Sequence, residues 1–121
     1  MIQYGRNQQV NCTESEFYKF LGYVANHPND INIVWENNEQ QGAWGSEGRI
    51  QFFSNNIHTH FPSGFGFSAG VGNVVYRLNC NDLINYMVTI GFVFGRNQDV
   101  GSIRTNIPTQ YQGDFDIGCQ L

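Results

Sequence analysis

With 121 residues, a formal net charge of −4 and a single lysine, Lys19, the chain has no basic stripe to neutralise a phosphate backbone, which argues against nucleic acid as a partner. Hydrophobic residues make up 40% of it and charged ones only 13%, against roughly 25% in ordinary soluble domains, so Asn, Gln, Ser and Gly carry the solvation. No apolar run approaches the ~20 residues of a membrane span and Met1 to Arg6 lacks an apolar signal core, so a soluble, intracellular, cytoplasmic protein is expected.

The length suits one compact domain over residues 1–121. Cys12, Cys80 and Cys119 are odd in number and lack CxxC spacing, which points to free thiols rather than a disulfide framework or a zinc knuckle.

In chain order, the first clear element begins at Thr13. Thr13-Glu14-Ser15-Glu16 reads as a capping box, Cys12 and Phe17 take the staple positions, and Phe17, Phe20, Leu21 and Val24 form one apolar stripe at helical spacing. Pro28 ends this helix near Asn26. The period then changes to two at Ile31, Ile33 and Trp35, and further short strands are expected at Arg49 to Phe53, Ile57 to Phe61 and Asn73 to Leu78, between Gly, Asn and Ser punctuation. In Asn81 to Phe94 the residues Tyr86, Val88, Ile90, Phe92 and Phe94 alternate, so one helical turn followed by a strand is expected. The polar stretch from Arg96 to Leu121, interrupted by Pro108, reads as loop with at most one edge strand. The fold class that follows is α+β: an N-terminal helix packed on a bent, mainly antiparallel β-sheet.

Four groups of residues carry candidate chemistry. His58 and His60 lie two apart on an expected strand, share a face, and are competent to hold one zinc ion, with Glu36, Glu39, Glu47 or Asp82 as a third ligand and His27 less well placed at a helix end. Phe65 and Phe67 sit in a Gly-rich run from Phe61 to Asn73 whose backbone and flat rings suit a polar or nucleotide-like ligand. Trp44, Glu47 and Arg49 share a Gly-flanked segment that suits recognition. Finally, Gly5-Arg6-Asn7-Gln8-Gln9-Val10 echoes Gly95-Arg96-Asn97-Gln98-Asp99-Val100, either as two similar turns or as a paired grip in which Arg6, Arg96 and Asn97 hold an anion.

The segment from His58 to Val71 resembles part of the JAMM metalloprotease motif, H-x-H, seven residues, S, two residues, D: His58, His60 and Ser68 match, and Val71 stands at the aspartate position. That resemblance implies zinc on His58 and His60, Ser68 in the catalytic set and an upstream base such as Glu47 or Glu36. Two functions follow. The first is a small binding or inhibitor-type domain without a cofactor, recognising a polar small molecule or a partner protein through aromatic and Gly-rich loops. The alternative is a small zinc-dependent hydrolase with Glu47 and Ser68 as catalytic residues and His58 and His60 as metal ligands. The sequence leaves open whether the chain is an enzyme.

Overall fold

The computed structural model describes residues 2–4, 9–35, 48–52, 76–93 and 97–121, with side chains described at 12–31, 82–93 and 97–121. The described elements are β1 (Ile2–Tyr4), β2 (Gln9–Cys12), α1 (Glu14–Asn26), a 3-10 turn (Pro28–Asp30), β3 (Ile31–Trp35), β4 (Gly48–Phe52), β5 (Tyr76–Asn79), α2 (Cys80–Ile90), α3 (Val100–Thr105), a second 3-10 turn (Thr109–Tyr111) and α4 (Gln112–Cys119).

The α1 helix starts as its sequence dictates. Thr13 is its N-cap, the Thr13 hydroxyl accepts from the Glu16 backbone N–H at 3.1 Å, and the Glu16 carboxylate accepts from the Thr13 N–H at 3.2 Å. Glu14 and Glu16 also place negative charge in the first turn, where the helix dipole favours it. Its burial, however, extends well beyond one stripe. Phe17, Tyr18, Phe20, Leu21, Gly22, Tyr23, Val24 and Ala25 are all buried. A helix apolar on most of its circumference is enclosed by its neighbours rather than laid on one surface. Complete burial of Phe17, Phe20 and Leu21 stabilises the fold by about 1.5–3 kcal/mol per side chain before entropy is counted.

What encloses α1 corrects the expected architecture. Its most extensive described contact is with α4, a helix, rather than with a sheet. Across the residues whose side chains are described, 74% are helical, which overturns the α+β reading of one helix lying on a bent sheet. The described backbone pairs only as short antiparallel ladders, one of three strands in the order β1-β4-β3 and one of two, β2 with β5. The strand expected at Ile57 to Phe61 lies outside the described residues.

The second correction concerns Asn81 to Phe94. Helix α2 runs to Ile90 in place of the expected turn and strand, and it buries Leu83, Ile84, Met87 and Ile90 at helical spacing. The alternation through Tyr86, Val88 and Ile90 was accidental: Val88 is exposed. Gly91, with φ +116°, stops the helix in a Schellman motif, the Phe92 N–H reaching the Met87 carbonyl at 2.9 Å and the Gly91 N–H reaching that of Val88 at 3.1 Å. The Asn106 side-chain amide donates to the Ile90 carbonyl at 3.0 Å and satisfies another terminal acceptor.

The third correction is the tail, expected as loop and found as two helices joined through a 3-10 turn. Asp99 caps α3, accepting from the Ser102 N–H at 3.1 Å and from its hydroxyl at 2.8 Å. Ile103, Ile107 and Phe115 are buried there, four and eight residues apart, a period hidden by the polar residues between them. Arg104 then clamps Asp116 of α4 through two hydrogen bonds at 2.8 and 2.9 Å, and the Gln112 amide donates to the Arg104 and Ile107 carbonyls.

Candidate functional site

Among the described residues, the most developed side-chain constellation lies where α1 and α4 begin. The two helices run in the same sense: Ser15 near the start of α1 donates to Asp114 near the start of α4 at 2.7 Å, and Asn26 at the end of α1 donates to the Cys119 carbonyl at 2.7 Å. Their first turns therefore lie side by side, and each carries acid, Glu14 and Glu16 on one and Asp114 on the other.

Three tyrosines from distant parts of the chain converge there. The Tyr18 ring stacks on Tyr111 at 4.5 Å with the planes 12° apart, and meets Tyr86 edge-on at 6.5 Å. The Tyr18 and Tyr86 hydroxyls share a hydrogen bond at 3.1 Å, and Phe17 backs both rings at 5.2 and 5.9 Å. Tyr18 is buried, whereas Tyr86 and Tyr111 are half-buried and reach the surface. The Tyr111 hydroxyl donates to Glu14, and this bond to a carboxylate holds its proton more tightly than in a free tyrosine. The result is a rigid aromatic platform with a carboxylate edge, able to present ring faces, hydroxyls and negative charge together.

A second group lies at the opposite end of α1. His27 stacks on Tyr23 at 4.4 Å, Tyr23 donates its hydroxyl to Asp30, and the His27 Nε2 is buried without a hydrogen-bond partner among the described residues. Among the described residues, no group of three or more His, Cys, Asp or Glu side chains is placed to hold a metal ion.

Most of the residues singled out from sequence are not among the described ones. Arg6, Trp44, Glu47, His58, His60, Phe65, Phe67, Ser68 and Arg96 lie outside the described residues, and Arg49 is described only as backbone in β4. Asn97 is exposed. Its neighbour Gln98 uses its side-chain amide to pair both backbone groups of Val93, at 2.7 and 2.6 Å. The tyrosine platform escaped sequence reasoning because nothing local links positions 18, 86 and 111. The one available signal was Tyr18, an aromatic immediately beside the helical stripe.

Compared with protein-family models, curated proteins and solved structures, the chain finds no significant match. Among the described residues, no helix is long and apolar enough to cross a membrane.

Proposed function

We propose that this chain is a cytoplasmic binding domain of the inhibitor type that docks a partner protein through the tyrosine platform at the paired starts of α1 and α4. The observation that carries this reading is the convergence of half-buried Tyr86 and Tyr111 on buried Tyr18, with the Glu14 carboxylate at the edge of Tyr111. Tyrosine supplies large contact area at little conformational cost, and one held by stacking loses little more on binding. The partner complementary to Glu14, Glu16 and Asp114 presents cationic or donor groups.

Gly113 provides the test, because it is exposed in the first turn of α4, between Gln112 and Asp114, and a Cβ added there meets none of the described residues within 4 Å. Gly113→Arg is expected to abolish stoichiometric capture of a partner from the native host, while Thr105→Arg, an exposed position on α3, retains it. Equal capture by both variants, with unfolding midpoints like the parent, would remove the platform from the binding surface.

A further inference from the structure

We draw no further inference here: the strongest candidate, the His27 imidazole stacked on Tyr23 at the C-terminal end of α1 with its Nε2 buried and unpartnered, is a single group that no set of ligating side chains among the described residues joins, so nothing in the structure shows what it would hold.

Discussion

Gly22 of α1 and Gly118 of α4 each sit against the backbone turn that contains the other. A Cβ on Gly22 would lie 2.0 Å from the Phe115 carbonyl oxygen, and one on Gly118 would lie 1.8 Å from that of Lys19. Such a separation leaves no room for any side chain, so the helices touch backbone to backbone. That approach brings Asp114 within reach of Ser15 and Tyr111 within reach of Tyr18.

Alanine at either glycine must therefore push the helices apart. Gly22→Ala and Gly118→Ala are each expected to destabilise the protein by about 1–3 kcal/mol, the usual cost of overpacking. Gly113→Ala, on the same helix as Gly118 but with no described residue within 4 Å of the added Cβ, is expected to be neutral or to stabilise by roughly 0.5–1 kcal/mol through helix propensity. Urea midpoints for the three variants decide this, and three equal values would refute the close approach.

Loss of the Thr13 cap is a separate matter of local hydrogen bonding. Thr13→Ala removes the acceptor of the Glu16 N–H and should cost ~1 kcal/mol, whereas Thr13→Ser, which keeps the oxygen, should cost much less. Chemical denaturation of both variants checks the order.

His27 carries a buried nitrogen with no partner among the described residues, which is an unfavourable arrangement. Replacing it with Phe retains the ring against Tyr23 and removes the unsatisfied atom. His27→Phe is expected to leave the melting temperature unchanged or raise it. A marked fall would mean that the imidazole makes a stabilising contact the geometry does not contain.

Burial pushes the Cys12 thiol up to about 12 from its ordinary 9.0, with nearby Glu16 adding to the effect, and pushes Cys119 up to about 11. In a Cys80→Ser background, both thiols are expected to react with a thiolate-selective reagent at pH 8 far more slowly than in the unfolded chain. The linkage has a definite sign. The folded state holds these protons more tightly than the unfolded one, so the stabilisation is complete below about pH 9 and is lost as pH rises through 11 and 12. Rapid labelling of native protein at pH 8 would contradict this.

Zinc binding at His58 and His60 requires a third protein ligand and an open position to support hydrolysis. The expected outcome is zinc well below one ion per chain in protein purified without tag or chelator, and partner binding retained after His58→Ala with His60→Ala. Stoichiometric zinc that disappears in the double variant together with function would establish the hydrolase instead.

The sequence by itself determined α1. Thr13, Glu16 and Pro28 are local signals, because caps and proline act through backbone groups only a few residues away, and they place both ends of the helix. It also determined the lack of basic character, which is a matter of counting. Tertiary structure decided the rest. Helix α4 carries two glycines and little amphipathic pattern, so no local propensity announces it, and it is explained by docking against α1 at Gly22. Helix α2 was hidden by a chance alternation, since period-two and period-3.6 patterns overlap over a short apolar run. Which tyrosines meet was equally invisible, because positions 18, 86 and 111 become neighbours only after the helices have packed.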